Sequence, residues 1–174
     1  RIMAMDAFSA SLMADKREII FAPTVYKFQT FAQMAEEFKL NERDVVLTNE
    51  FIYTPFMKEL GLKCNFVFQE KFGAGEPSEA MIQTMYDAIP YDSYDRVIAV
   101  GGGAIMDLCK LLGCKRPDSV HELYYKRFPV VHEKDVIAIP TTCGTGSEVT
   151  NIAVLNRTRM GTKMGMVAPT MYAD

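Results

Sequence analysis

Three consecutive glycines, Gly101-Gly102-Gly103, run into Ala104-Ile105-Met106-Asp107-Leu108-Cys109-Lys110, and this segment has the clearest chemical potential in the chain. A compact apolar run, Arg96 to Val100, precedes the glycines, and apolar residues at helical spacing follow them, so they occupy a strand-to-helix turn. Lacking Cβ atoms, such a turn lets the backbone approach a pyrophosphate closely. The free N–H groups of the helix's first turn, with the positive end of its dipole, then favour the anion. Gly101, Gly102, Gly103 and Ala104 are therefore a candidate phosphate cradle. The spacing matches neither Gly-x-Gly-x-x-Gly nor Gly-x-x-x-x-Gly-Lys-Ser/Thr, and a plain tight turn between strand and helix stays open as the alternative. Asp107 and Lys110 lie three residues apart, so Asp107 either serves the ligand or pairs with Lys110 on one helix face.

A second segment, Pro140-Thr141-Thr142-Cys143-Gly144-Thr145-Gly146-Ser147-Glu148-Val149-Thr150, follows the strand-like run Asp135 to Ile139. It is crowded with hydroxyls. Each hydroxyl both donates and accepts, which suits holding a ribose, amide or phosphate better than breaking bonds. Ser147 as a nucleophile would need a histidine base, and His121 and His132 both lie in a charged, aromatic-rich stretch that reads as surface helix and loop. Cys143 has no neighbouring base and reads as a small packed side chain.

These two loops need a frame that brings them to one place. From Arg17 onward, compact apolar runs alternate with 3.6-residue periodicity, the pattern of strands alternating with helices and hence of a parallel sheet covered by helices. The expected strands are Glu18 to Ala22, Asp44 to Leu47, Lys63 to Phe68, Arg96 to Val100 and Asp135 to Ile139. Expected core-facing helical stripes are Phe28, Phe31, Ala32, Ala35 and Phe38, and Met81, Ile82, Met85 and Ala88. Phe72 to Pro77 reads as a strand-to-helix connection. Asn151 to Leu155 and Lys163 to Val167, around a polar turn, read as a β-hairpin appended to the sheet. In an open parallel sheet ligands bind off the carboxyl ends of the strands, where both loops fall.

Composition narrows the remaining classes. A chain of 174 residues, 49% hydrophobic and 24% charged, with a net charge of −3, fits one globular domain and offers no basic patch for nucleic acid or anionic membrane. No apolar run is long enough to span a bilayer, and the beginning of the sequence lacks a leader's layout. Cys64, Cys109, Cys114 and Cys143 form no Cys-x-x-Cys pair and read as reduced, buried thiols of a cytoplasmic protein. Residues 1–16 have no clear period and read as an appendage or entry segment.

The pairing of Gly-Gly-Gly-x-x-x-Asp-x-x-Lys with Pro-Thr-Thr-x-Gly-Thr-Gly-Ser-Glu-Val-Thr resembles the iron-containing (group III) alcohol dehydrogenases, from about Arg17 to Asp174. Within the family, Tyr26-Lys27-Phe28 and Thr48-Asn49-Glu50-Phe51-Ile52-Tyr53 look most like the 4-hydroxybutyrate dehydrogenases of anaerobic bacteria. The resemblance implies a Rossmann-like, dehydroquinate synthase-like N-terminal domain, here residues 17–174, that holds NAD or NADP. It places Gly102, Gly103 and Ala104 at the pyrophosphate and Thr141, Thr142 and Thr145 along the cofactor, in a loop turned by Gly146. It also places Ser147 and Val149 near the nicotinamide and Lys163 at the nicotinamide ribose. Ala104 departs from the family's usual serine. Asn49 stands where many members carry an aspartate that contacts the adenosine ribose and repels the 2′-phosphate of NADP; NAD is the expected cofactor, with NADP open.

The family's helical domain, which holds Fe²⁺ or Zn²⁺ through one aspartate and three histidines, finds no match here. No catalytic or metal-ligating residue is expected in this chain, and the fragment alone is expected to be inactive. The expected partner of the complete enzyme is a small alcohol or aldehyde, with a homo-oligomer as an open arrangement. A glycerol dehydrogenase or 3-dehydroquinate synthase-like enzyme is the nearest rival, and a non-catalytic nucleotide-binding module is the rival from another class.

Overall fold

Four parallel strands, β1 (Asp44–Thr48), β2 (Asn65–Phe68), β3 (Arg96–Gly101) and β4 (Asp135–Pro140), form one sheet in the order β2-β1-β3-β4. The computed structural model describes residues 22–73, 75–125, 127–157 and 160–174. The appendage at residues 1–16 and the expected strand Glu18 to Ala22, apart from Ala22 itself, lie outside the described residues. The other four expected strands are present, although β2 begins at Asn65, where its pairing with Val45 of β1 begins.

Every residue of β1 is buried, as are all of β3 except Arg96, because helices cover both faces of the sheet. Side chains alternate across a strand, so Val45, Leu47, Val97 and Ala99 enter one core while Val46, Ile98 and Val100 enter the other. The first core is closed by α3 (Glu79–Ala88) and α4 (Gly103–Gly113), with the short α5 (Val120–Tyr124) beside them; the second includes Met34 of α1 (Phe31–Glu37) and Ile52 of α2 (Glu50–Phe56). Thr30 and Ser78 cap α1 and α3 by accepting from Gln33 N–H and Met81 N–H at 3.2 Å each.

The two helical stripes are each trimmed by one residue. Met81, Ile82 and Met85 are buried as expected, but Ala88, at the last turn of α3, is exposed. In α1 the helix begins only at Phe31, so its inward face is Met34 and Ala35, and Ala32 turns to solvent.

Polar ties fix both ends of the sheet. At the amino end Arg96 forks onto Asp44 at 2.7 and 2.9 Å. At the carboxyl end the Thr48 hydroxyl donates to the Val100 carbonyl at 2.8 Å.

The hairpin, β5 (Ile152–Arg157) and β6 (Thr162–Val167), is a separate two-stranded antiparallel sheet rather than an extension of the main one. Ala153 and Leu155 point into the core beside α4. Two side chains of α4 grip it: Lys110 Nζ donates to the Ile152 carbonyl at 2.8 Å, and Asp107 Oδ2 accepts from Val154 N–H at 3.0 Å. The ladder also runs further than the sequence suggests, through Asn156 with Lys163 and Arg157 with Thr162. Among the described residues no helix is long and apolar enough to cross a membrane.

Candidate functional site

The strand order reverses between β1 and β3: the chain steps outward from β1 to β2, then returns to the other side of β1. In open parallel sheets this reversal opens a crevice off the carboxyl ends of the strands. Asn49 follows β1 there, Gly102 and Gly103 follow β3, and Thr141 follows β4. Gly101 pairs in register with Pro140, and Thr141 N–H donates to the Gly101 carbonyl at 3.0 Å. The two loops singled out from the sequence thus leave the sheet side by side.

They then interlock. A Cβ on Gly102 would stand 3.2 Å from Thr142 Oγ1, and one on Gly103 would stand 3.2 Å from Thr145 Cβ and Cγ2 and 3.3 Å from Ser147 Oγ. None of the three glycines has a positive φ, so close approach, not left-handed backbone, requires them. The left-handed positions are in the partner loop, at Gly144 (φ +100°) and Gly146 (φ +68°), which turn the hydroxyl segment back over the glycines. No side chain caps α4, and the Gly102-Gly103-Ala104 backbone is half-buried, so the first-turn N–H groups are presented to the crevice.

Asp107 is engaged within the fold. It is 7% exposed, bonds Val154 N–H through one oxygen, and lies 3.9 Å from Lys110 Nζ through the other. Burial pushes its carboxyl above the ordinary value, against the opposing pull of Val154 N–H, Lys110 and Ser147. Burial likewise lowers the Lys110 ammonium, while Asp107 and Glu148 oppose the shift. Asp107 therefore ties α4 to the hairpin.

Lys163, on the exposed side of β6, is held by Glu76 of the β2 to α3 connection at 2.5 Å rather than by either loop. Val149 is half-buried, its N–H donating to the Gly146 carbonyl at 3.1 Å. Asn49 Nδ2 donates to Glu70 Oε2 at 3.1 Å, and Glu50 N–H donates to Glu70 Oε1 at 2.6 Å. Burial works to raise the Glu70 carboxyl, but the hydrogen bonds it accepts outweigh that and leave it below the ordinary value.

Glu70 was not singled out from the sequence, although an acidic residue just after the second strand of such a unit is a recognisable signal. Cys143 corrects another expectation: Cys64, Cys109 and Cys114 are buried, but Cys143 is exposed because its loop leaves the sheet into solvent.

A broad groove, lined by Phe28, Phe38, Ile137, Ile139, Thr141 and Val149 among others, is mostly apolar and touches none of the three glycines. The crevice is assigned by the chemistry of the loops, not by size. His121 faces Glu79 at 3.3 Å and His132 faces Asp174 at 2.9 Å, so neither serves Ser147 as a base. Among the described residues no three His, Cys, Asp or Glu side chains converge as a metal site.

A parallel sheet with a strand-order reversal, a glycine turn opening a helix, and a hydroxyl loop folded over it define a Rossmann-like α/β domain of the dinucleotide-binding kind. The chain matches the model of the iron-containing alcohol dehydrogenase family over residues 22–174, and it belongs to that family. It is 45% identical over 152 residues to 4-hydroxybutyrate dehydrogenase of Clostridium kluyveri, covering 87% of this chain and 41% of that protein. It is 39% identical over 101 residues to sulfoacetaldehyde reductase of Bilophila wadsworthia, covering 57% of this chain and 26% of the relative. The iron-containing alcohol dehydrogenase of Thermotoga maritima superposes with a TM-score of 0.70 at 25% identity, covering 90% of this chain and 46% of that one. Sulfoacetaldehyde reductase from Bifidobacterium kashiwanohense, solved with NAD⁺, superposes at 0.67 and 22% identity, over 83% of this chain and 40% of that one, a likeness of fold. The chain spans less than half the length of each of these proteins.

Proposed function

We propose that this chain is the NAD-binding part of an alcohol dehydrogenase that moves hydride between a nicotinamide cofactor and a small alcohol or aldehyde. The observation that carries this reading is the interlock of the glycine turn with the hydroxyl loop at the strand-order reversal. In this reading the N–H groups of Gly102, Gly103 and Ala104 receive the pyrophosphate, and Thr141, Thr142 and Thr145 lie along the cofactor. Ser147 and Val149 stand toward the nicotinamide, with Lys163 released from Glu76 to reach its ribose. The bound nicotinamide supplies the hydride chemistry, and this chain's residues hold and orient it.

Similarity to the Clostridium enzyme favours a short hydroxy acid, 4-hydroxybutyrate and its semialdehyde, as the substrate pair. In this reading none of this chain's residues holds a metal or polarises the substrate oxygen, so the chain with added Fe²⁺ or Zn²⁺ does not turn over. Buried thiols at Cys64, Cys109 and Cys114 support a reducing, cytoplasmic setting. Calorimetric titration of the chain with NAD⁺, NADP⁺ and ADP tests the core of the reading. A dinucleotide site binds NAD⁺ saturably with one site per chain, and absence of heat with all three ligands overturns it.

A further inference from the structure

The carboxylate of Glu70 lies at the β1 side of the crevice. Asn49 directly follows Thr48, which is tied to the Val100 carbonyl at 2.8 Å, so Asn49 stands one strand, or roughly 5 Å, from the end of β3 that leads into the glycine turn. In the dinucleotide reading above, with Asn49 at the adenosine ribose, the adenosine half runs from that turn toward β1 and so over the Asn49–Glu70 pair. We propose, building on the dinucleotide reading above, that Glu70, held in place by Asn49, is the residue that selects NAD over NADP.

Three observations converge on it. Asn49 is neutral, and one of its two Nδ2–H donors is held by Glu70 at 3.1 Å, which fixes the amide against the carboxylate. Each Glu70 oxygen accepts one protein hydrogen bond, from Asn49 or Glu50, and keeps a further lone pair for a ribose hydroxyl. Glu70 is also exposed, and among the described residues no cation lies within ion-pair distance of its carboxylate; the adjacent Lys71 acts on it only from further off, so most of its charge still faces a 2′-phosphate. Negative charge excluded at position 49 is thus supplied from the end of β2.

Repulsion between this carboxylate and a dianionic phosphate a few ångström away in a solvated crevice is worth about tenfold in relative affinity, or somewhat more at low salt. The test is calorimetric titration of the 174-residue chain and its Glu70→Gln variant with NAD⁺ and NADP⁺ at low and high ionic strength. Gln keeps an oxygen for Glu50 N–H while removing the charge. The expected result is an NADP⁺ to NAD⁺ ratio of dissociation constants that falls about tenfold in the variant, because the lost repulsion acts on NADP⁺ alone while any lost ribose contact acts on both dinucleotides. In the unmodified chain that ratio falls as salt rises, and in Glu70→Gln it responds more weakly. NAD⁺ binding with an unchanged ratio in the variant overturns the assignment of Glu70. A ratio that ignores salt in the unmodified chain overturns it without any variant. Absence of binding of either dinucleotide by the unmodified chain instead overturns the dinucleotide reading beneath it.

Discussion

Replacing Gly101 and Gly103 by alanine should separate folding from binding, because the two added methyl groups meet different neighbours. At Gly101 the new Cβ would lie 2.6 Å from Ile105 Cγ1 and 2.8 Å from Ile105 Cβ. Ordinary carbon contacts are about 3.5 to 4.0 Å, so the overlap is roughly 1 Å. A rotamer change cannot relieve it, since the Ile105 Cβ itself is too close, and Ile105 is 1% exposed in the core. The first turn of α4 must move away from the sheet, at a cost typical of overpacking, about 1 to 3 kcal/mol. For a chain of this size that lowers the melting temperature by roughly 3 to 10 °C. At Gly103 the neighbours are Thr145 and Ser147 at 3.2 to 3.3 Å, on a loop that can give by a few tenths of an ångström. Its φ is not positive, so alanine there is nearly neutral for stability, within about 1 kcal/mol. It does push the hydroxyl loop off the turn, and NAD⁺ affinity should fall about tenfold or more. Thermal unfolding by circular dichroism and NAD⁺ titration of both variants would measure this. A Gly101→Ala protein that melts with the parent, or a Gly103→Ala protein that binds NAD⁺ as the parent does, would refute the reasoning about close approach.

Other perturbations follow from the same geometry. Of the four cysteines, only Cys143 should react quickly with a thiol reagent in the native chain, since burial raises the thiols of Cys64, Cys109 and Cys114, the last to about 12; bound NAD⁺ should slow that one reaction, as read by label stoichiometry over time. Asp44→Ala should destabilise by about 3 to 5 kcal/mol in urea unfolding, because it strands Arg96, which bonds Asp44 at 2.7 and 2.9 Å and is largely buried. Because burial raises the Asp107 carboxyl, the stability linked to its protonation is fully present below the ordinary value of 3.8 and is lost as pH rises through the raised folded value. Asp107→Asn keeps an acceptor for Val154 N–H, and it should flatten that acid-side decline in a pH series of melting temperatures.

The strands were legible because β1, β3 and β4 are compact, mainly apolar runs that stand out between helical stretches, and the hairpin because its two segments flank a polar turn. Both loops were legible by composition. Their interlock was not, since spacing along the chain does not say that Gly103 meets Thr145 and Ser147. The strand-order reversal that selects the crevice is likewise silent in a one-dimensional period. Asp107's bond to the hairpin main chain could not be foreseen without the hairpin's position, and Glu70 became meaningful only beside Asn49, 21 residues away. Ala32, Ala88 and Cys143 strayed from expectation for one reason: small side chains carry little burial energy, so helix ends and loops place them without penalty.

The way α4 grips the hairpin has a consequence for how such a protein can change over generations. Asp107 and Lys110 reach the main chain of Val154 and Ile152, not their side chains, and those side chains are 39% and 37% exposed. Any residue at 152, and any residue but proline at 154, offers the same carbonyl and amide. The outward face of the hairpin can therefore drift through many sequences, and acquire new surface chemistry, while the helix that begins at the glycine turn stays fixed beneath it.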